Sequence, residues 1–201
     1  MKCDCLASEI GLVSDIKLRE VLVAYLNECV PAYFYTAEAS TTGKYHPKYV
    51  QGKGGLIRHT KAAVLLAETM LSLEQNETLN ECYHDEIIFA LIVHDSFKQG
   101  LKAEGGYTRF EHPIYAAGAL QLFADKFYPD MSERVAQISE MVMAHTGQWN
   151  RSPRSVVVLP KPSTEAEKFV HLCDYLASRS FITVDVTYEP SEEEQQATEE
   201  T

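Results

Sequence analysis

Apolar side chains recur every three to four residues along most of the chain, which is the spacing of amphipathic α-helices. The pattern predicts helices over residues 14–30, 56–73, 84–95, 113–128, 130–143 and 164–179. The segment 84–95 is apolar almost all round, as in a central buried helix. Only residues 155–159 and 181–188, with their β-branched side chains, are predicted to be extended. The sequence therefore predicts an all-α fold with a short extended segment near its C-terminus.

Local signals mark several of the predicted helix ends. Ser14 is a candidate N-cap for the first helix, and Pro113 occupies a favoured first helical position. Two capping boxes are predicted, one over residues 130–133 and one over residues 164–167. Residues 36–55 are polar and contain Gly and Tyr, so we expect a long loop that ends at the start of the second helix.

The chain has no internal repeat and no clear domain boundary, so residues 1–188 are predicted to form one helical domain. The last residues, 189–201, read EPSEEEQQATEET and are predicted to be a disordered acidic tail. The formal net charge of the chain is −11. Residues 185–201 hold seven acidic residues and no Lys or Arg, which leaves −4 for residues 1–184. The acidity is therefore mainly a property of the tail.

Composition excludes several classes of protein. The sequence has no basic stripe that could neutralise a long run of phosphates, so long duplex nucleic acid is not an expected partner. The five cysteines follow neither a metal-site spacing nor a disulfide framework, which favours a reducing compartment. The longest apolar run, residues 87–93, is too short to cross a bilayer, and no signal-peptide pattern follows Met1. We expect a cytoplasmic protein with no membrane partner, of an oligomeric state that the sequence leaves open.

Histidines lie at the ends or mouths of the predicted helices. Five histidines lie at such positions, namely His59, His84, His94, His112 and His145. The pair His94 and Asp95 ends the most apolar helix, where burying two ionisable groups is costly without a partner such as a metal ion. Taken alone, the pair also fits a histidine that interacts with the dipole at a helix C-terminus.

The order of these residues and their flanking segments resemble the HD-domain superfamily of metal-dependent phosphohydrolases. The segments that carry the resemblance are GGLIRHT (54–60), ALIVHDSFKQG (90–100), EHPIYAAG (111–118), MAHTGQW (143–149) and HLCDYLASR (171–179). They span residues 54–180 and look most like stand-alone HD proteins and the HD portion of 3′–5′ exoribonucleases. The resemblance implies a helical bundle whose ligands converge on a central metal site.

The resemblance also implies a ligand set for two divalent ions. The implied ligands are His59, His94, Asp95 and Asp174 for one ion, and His112 and His145 for a second ion that Asp95 shares. The second pair distinguishes the chain from mononuclear, nucleotidase-type members. Imidazole and carboxylate ligands together suit transition metals, with Mn or Fe expected and Zn, Co or Ni as alternatives.

Two residues are predicted to act in catalysis, namely Asp95 of this ligand set and Lys98, which lies three residues after it. Asp95 would bridge the ions, and a water activated by them would attack the phosphorus atom. Lys98 matches a lysine of many two-metal members and is expected to bind a substrate phosphate, with satisfaction of helix C-terminal carbonyls as the less favoured alternative. Lys102 and Arg109 flank the loop between the ligands and are candidate substrate-binding residues, or solvated loop charges.

The sequence thus predicts a hydrolase that cleaves phosphoester or phosphoanhydride bonds in a nucleotide-like substrate. A phosphodiesterase acting on short oligonucleotides or cyclic dinucleotides is the preferred form. A nucleoside triphosphate or dinucleoside-polyphosphate hydrolase is the alternative, and a non-catalytic nucleotide-binding regulatory module is the alternative of another class.

Three further residues each have two candidate roles. His171 could support the site or be structural, Arg179 could reach a phosphate or cap its helix, and Trp149 could lie in the core or in a pocket wall. Neither His46, in the loop, nor His84 is expected to bind a metal.

Overall fold

A computed structural model describes residues 1–40, 46–103, 106–182, 184–192 and 195–196, and the regular structure of these residues is helical. The α-helices are α1 (Ala7–Leu12), α2 (Ile16–Glu28), α3 (Gly55–Leu71), α4 (Glu77–Val93), α5 (His112–Phe127), α6 (Ser132–Ala144) and α7 (Glu165–Ala177). Short 3₁₀ helices cover Lys2–Leu6, Ala32–Tyr35, Lys48–Val50, Glu74–Asn76 and Pro129–Met131. The predicted all-α fold is confirmed. Among the described residues, none of the helices combines the length and apolar character that a membrane crossing requires.

Helix α4 lies at the centre of the bundle. It packs against α1, α2, α3, α6 and α7, while α5 pairs with α6 and α3 pairs with α7. The side chains of residues 87–93 are completely shielded from solvent, which confirms the prediction of a central buried helix. Because α4 ends at Val93, the polar residues that follow it enter the middle of the bundle.

The start of α2 differs from the prediction that Ser14 is its N-cap. The N-cap is Asp15, whose carboxylate accepts a hydrogen bond of 3.0 Å from the backbone N–H of Leu18. The Ser14 hydroxyl instead donates to the Asp85 carboxylate of α4 at 2.9 Å, and the Asp15 backbone N–H donates to the same carboxylate at 2.7 Å. A buried acceptor on a neighbouring helix therefore takes the hydroxyl away from the helix that it was predicted to cap.

The predicted start of the central helix at residue 84 is also wrong, because α4 begins at Glu77. The turns before residue 84 are mostly exposed and carry no apolar stripe, so periodicity alone misses them. Glu77 lies in the first turn, where a carboxylate interacts favourably with the helix dipole.

Of the two predicted capping boxes, only the second is confirmed. The Glu167 backbone N–H donates to the Thr164 hydroxyl oxygen and the Thr164 N–H donates to the Glu167 carboxylate, both at 3.2 Å. The box predicted at residues 130–133 does not form, since Pro129–Met131 is a 3₁₀ helix and the N-cap of α6 is Met131, whose side chain accepts no capping hydrogen bond. Helix α7 ends at Ala177, before the predicted end at residue 179.

The two segments predicted to be extended form no regular strand in the part of the chain that the structure describes. Within 155–159, Val158 forms one isolated antiparallel bridge with Arg151. The described residues of 181–188 have no regular secondary structure, and residue 183 lies outside the described part. Among the described residues, neither segment lies beside a second regular strand that could extend a ladder, so β-propensity alone does not produce a sheet.

The described C-terminal segment lies on the start of α3. Arg58 is buried and donates to the backbone carbonyl of Tyr49 at 2.5 Å, to that of Gln51 at 2.7 Å, and to that of Tyr188. A Cβ on Gly54 would meet Tyr188 and the ring of the proline at 190, at 2.9–3.1 Å. Residues 193–194 and 197–201 of the predicted disordered tail lie outside the described residues.

Candidate metal centre

Helices α3, α5 and α7, together with the turns that follow α4 and α6, bring the six predicted ligands into one buried cluster. The ligands are His59 on α3, His94 and Asp95 directly after α4, His112 at the first residue of α5, His145 directly after α6, and Asp174 on α7. The side chains of the first five are almost entirely buried, whereas the Asp174 side chain keeps 21% of its surface exposed. Asp174 therefore marks the side of the cluster that is open to solvent.

His59, His94 and Asp95 form a first group whose ligand atoms could hold one metal ion. The Nε2 atoms of the two imidazoles are 3.3 Å apart, and they lie 3.7 Å and 3.4 Å from Asp95 Oδ2. Asp174 Oδ1 lies 2.9 Å from His59 Nε2 and 3.5 Å from His94 Nε2. The four residues predicted for the first ion are thus brought together.

A second group consists of Asp95, His112 and His145, and could also hold an ion. His112 Nε2 is 3.0 Å and His145 Nε2 is 3.9 Å from Asp95 Oδ1. Asp95 therefore presents Oδ2 to the first group and Oδ1 to the second. This is the arrangement expected of a carboxylate that two ions share.

Backbone hydrogen bonds fix the orientation of three of these imidazoles. The Nδ1 atoms of His94, His112 and His145 each lie 2.6–2.7 Å from the carbonyl oxygen three residues earlier. A carbonyl oxygen only accepts, so Nδ1 carries the proton in each ring and the Nε2 lone pair of the neutral ring faces the cluster. The Nε2 atoms of His112 and His145 are only 3.1 Å apart. Two lone pairs at that distance repel each other unless a proton or a metal cation lies between them.

The donor set fits transition-metal ions. Asp95 Oδ1 is buried and has no hydrogen-bond donor among the described residues, since His112, with its proton on Nδ1, has none to offer from Nε2. Imidazole nitrogens combined with carboxylate oxygens suit Mn, Fe, Co, Ni or Zn better than an all-oxygen ion such as Mg. The cluster thus offers imidazole and carboxylate ligands and leaves Asp95 Oδ1 without a donor, as a cation site requires.

Charges within the cluster displace the pKa values of its members. Burial alone would raise the pKa values of Asp95 and Asp174, but the histidines around them, together with Lys98 in the case of Asp95, hold both pKa values well below the usual range. Burial opposes the charged form of His94, yet the two carboxylates outweigh it and raise the pKa of His94 to about 10. For His145, burial and the neighbouring imidazoles lower the pKa to about 3. The cluster therefore keeps its carboxylates ionised and His145 neutral, which is the state in which they bind metals.

Lys98 lies directly beside the shared carboxylate. Its Nζ is 2.5 Å from Asp95 Oδ2, and its side chain is 13% exposed. Tyr33 holds the turn that carries Lys98, because its hydroxyl accepts from the Gln99 N–H at 3.1 Å and donates to the Gly100 carbonyl at 2.6 Å. Sequence reasoning missed Tyr33, which is more than sixty residues away and lies in no recognisable motif.

Lys102 and Arg109 lie outside the ligand cluster. Both side chains are exposed, and together with Glu111 and Tyr115 they line a separate cavity of about 350 Å³. None of the six ligands is among the described residues that line this cavity. The backbone carbonyl of Arg109 accepts a hydrogen bond from Nδ1 of His112.

His46 is closer to the cluster than the sequence indicated. Its ring centroid is 6.1 Å from that of His59, and its buried Nδ1 has no hydrogen-bond partner among the described residues. Burial lowers the pKa of His46 to about 4. No sequence signal distinguishes it, since it lies in the long loop. His84, in contrast, contacts Glu68 at 2.7 Å and Asp85 at 3.1 Å on the surface of α4.

The structure shows the surroundings of the three residues after His145 to which the sequence gives two candidate roles each. His171 Nδ1 is 2.7 Å from the His145 carbonyl oxygen, so His171 supports the segment that carries a ligand. Trp149 is half exposed, so it is not a core residue. The Arg179 guanidinium lies 4.4 Å from the centroid of the Tyr175 ring.

Comparison with known proteins identifies no relative of the chain. No protein-family model, no curated protein and no solved structure matches the chain. The residues and their geometry identify an all-helical protein with a buried His/Asp cluster that could hold metal ions and is compatible with an HD-like fold.

Proposed function

We propose that this chain is an HD-type phosphohydrolase that depends on two divalent metal ions. The observation that carries the proposal is the position of Asp95, whose two carboxylate oxygens face two separate groups of imidazole nitrogens. A single structural ion would need only one of these groups. A carboxylate shared by two groups suits a two-ion site for displacement at phosphorus.

The residues of the cluster would have different roles in such a reaction. Divalent ions bound there would supply Lewis acidity toward a phosphoryl oxygen and would lower the pKa of a water molecule. The backbone-anchored imidazoles hold their Nε2 atoms in place before any ligand binds, which reduces the reorganisation that binding requires. Lys98 places an ammonium group beside Asp95, where it can bind a phosphate oxygen as a point charge.

The proposed substrate is a short nucleotide-like phosphodiester, such as a short oligonucleotide or a cyclic dinucleotide. Apart from its C-terminal acidic residues the chain carries a modest net charge of −4, and two divalent ions would make the site itself attractive to phosphate. Lys102 and Arg109 lie on the loop beside the site and are proposed to contact more distant parts of the substrate. Substrate screening against nucleoside triphosphates and dinucleoside polyphosphates tests the alternative.

A hydrolysis assay tests the proposal. The protein is reconstituted with Mn²⁺ and offered methyl p-nitrophenyl phosphate, a phosphodiester that releases a coloured product. We expect Mn²⁺-dependent turnover that Asp95→Asn abolishes, because the amide keeps the shape of the carboxylate but cannot bridge two cations. His84→Gln, which alters a histidine outside the cluster, is the matched control and is expected to retain turnover. Absence of turnover with each of Mn²⁺, Fe²⁺, Co²⁺, Ni²⁺ and Zn²⁺, or full activity in Asp95→Asn, would refute the proposal.

A further inference from the structure

Next to the metal centre, two aromatic rings and a guanidinium are stacked on the protein surface. The rings of Trp149 and Tyr175 are nearly parallel, at 13°, with centroids 5.5 Å apart. The Arg179 guanidinium carbon lies 4.4 Å from the Tyr175 centroid. Trp149 nevertheless keeps 50% of its surface exposed. Part of a large, flat π-surface is therefore presented to solvent.

The backbone that carries Trp149 is firmly held. The Trp149 N–H donates to the Thr146 carbonyl at 3.2 Å. The buried Asn150 exchanges hydrogen bonds with the backbone of Leu159, at 2.9 Å through its side chain and at 3.0 Å through its carbonyl. Gly147 packs so closely against the His171 ring that a Cβ there would lie 2.2 Å away. The exposure of Trp149 thus belongs to an ordered turn and does not come from a loose loop.

The same two elements carry metal ligands. Trp149 lies four residues after His145, and Tyr175 directly follows Asp174, the most exposed of the six ligands. His171 joins the two elements, since it hydrogen-bonds the His145 carbonyl and its ring lies 6.0 Å from the Trp149 ring. The stack therefore lies on the same two segments as His145 and Asp174, and Asp174 is the ligand on the exposed side of the cluster.

We propose that Trp149, Tyr175 and Arg179 form a stacking platform that binds the nucleobase of a substrate whose phosphate lies at the metal centre. This inference rests on the proposed function, because it assigns the substrate of the same site. Every nucleobase has a π-face, so stacking on Trp149 selects nucleotides over other phosphodiesters without reading a sequence. Arg179 adds a positive charge that attracts the rest of a nucleotide.

The chain contains a single tryptophan, so its intrinsic fluorescence reports on the platform directly. Protein loaded with Zn²⁺, which has a filled d shell, is titrated with adenosine 5′-monophosphate or with ribose 5-phosphate, which lacks the base. We expect saturable quenching of Trp149 by the nucleotide and little change with the sugar phosphate. Equal responses to the two compounds, or no response to the nucleotide, would overturn the platform.

A pair of substrates with one leaving group separates base binding from chemistry. Thymidine 5′-(p-nitrophenyl phosphate) and methyl p-nitrophenyl phosphate differ only in the presence of a nucleoside. Trp149→Leu is expected to raise KM for the thymidine compound by about 5- to 150-fold, the range of base–aromatic stacking, and to leave the methyl compound unaffected. Trp149→Phe should restore part of the loss. Phe181→Leu, which removes an exposed aromatic ring outside the platform, is the matched control and should change neither KM.

The two proposals fail in different ways. If neither compound is hydrolysed but the nucleotide alone quenches Trp149, the proposed function is wrong and the platform stands. If both compounds are hydrolysed and Trp149→Leu leaves the ratio of their KM values unchanged, the platform is wrong and the proposed function stands.

Discussion

Substituting alanine for Gly147 tests how the segment after His145 is held. Gly147 has φ +59°, and a Cβ there would lie 2.2 Å from Cε1 and 2.3 Å from Nε2 of His171. The imidazole cannot simply move away, because its Nδ1 is hydrogen-bonded to the His145 carbonyl at 2.7 Å. The left-handed conformation costs an alanine about 1–2 kcal/mol and overpacking costs about 1–3 kcal/mol more. Gly147→Ala should therefore lower the free energy of unfolding by about 2–5 kcal/mol.

Urea unfolding followed by circular dichroism measures this change, and a second glycine provides the control. Gly118 lies within α5, and a Cβ there would meet no atom within 4 Å. Gly118→Ala should raise the free energy of unfolding by about 0.5–1 kcal/mol, because alanine loses less backbone entropy in a helix. A Gly147→Ala protein within about 0.5 kcal/mol of the wild type would show that His171 does not confine this turn.

Three further predictions concern contacts outside the ligand set. Asp85→Asn removes the carboxylate that accepts the Ser14 hydroxyl and should lower the free energy of unfolding by about 1–3 kcal/mol in urea titrations. Burial opposes ionisation of Asp85, but its hydrogen bonds lower its pKa below 3.8. The stability that ionised Asp85 contributes should therefore be present above pH 3.8 and be lost on further acidification. Thermal scans of the wild type and Asp85→Asn over this pH range measure the loss. Burial also opposes the charged form of His84, but the carboxylates beside it raise its pKa above 6.5. The stability that charged His84 contributes should therefore be complete below pH 6.5 and vanish as the pH rises past the pKa of His84 in the folded protein. The stability of His84→Gln should lack this pH dependence. Tyr33→Phe leaves the Gly100 carbonyl without the donor that Tyr33 supplies, so the turn that carries Lys98 should be displaced and turnover should fall. Metal content, measured by mass spectrometry, should stay constant. Loss of metal would contradict the assignment of Tyr33 to the position of Lys98.

The features that the sequence predicts correctly depend on local patterns. Apolar periodicity locates the buried half of α4, and the signature of Thr164 and Glu167 locates the start of α7. The composition of the cluster is predicted by the resemblance that the ordered His and Asp residues carry. Of these residues, His94 and His145 directly follow a helix and His112 begins one, whereas His59 and Asp174 lie within α3 and α7.

The features that sequence reasoning misses depend on contacts between distant segments. Ser14 fails as a cap because Asp85, seventy-one residues away, accepts its hydroxyl. Tyr33 reaches the turn after Asp95, and His46 reaches the ring of His59, from a region with no regular pattern. Such contacts are decided by tertiary packing, which overrides local propensity.

The central claim is that Asp95 is shared by two metal ions, and metal counting tests it most directly. The protein is reconstituted with Mn²⁺, freed of unbound metal, and analysed for bound ions per chain. We predict two ions in the wild type, one in His112→Ala, which removes a ligand of the second group, and two in the control His84→Ala. A wild type that binds fewer than two ions, or a His112→Ala protein that still binds two, would contradict the account.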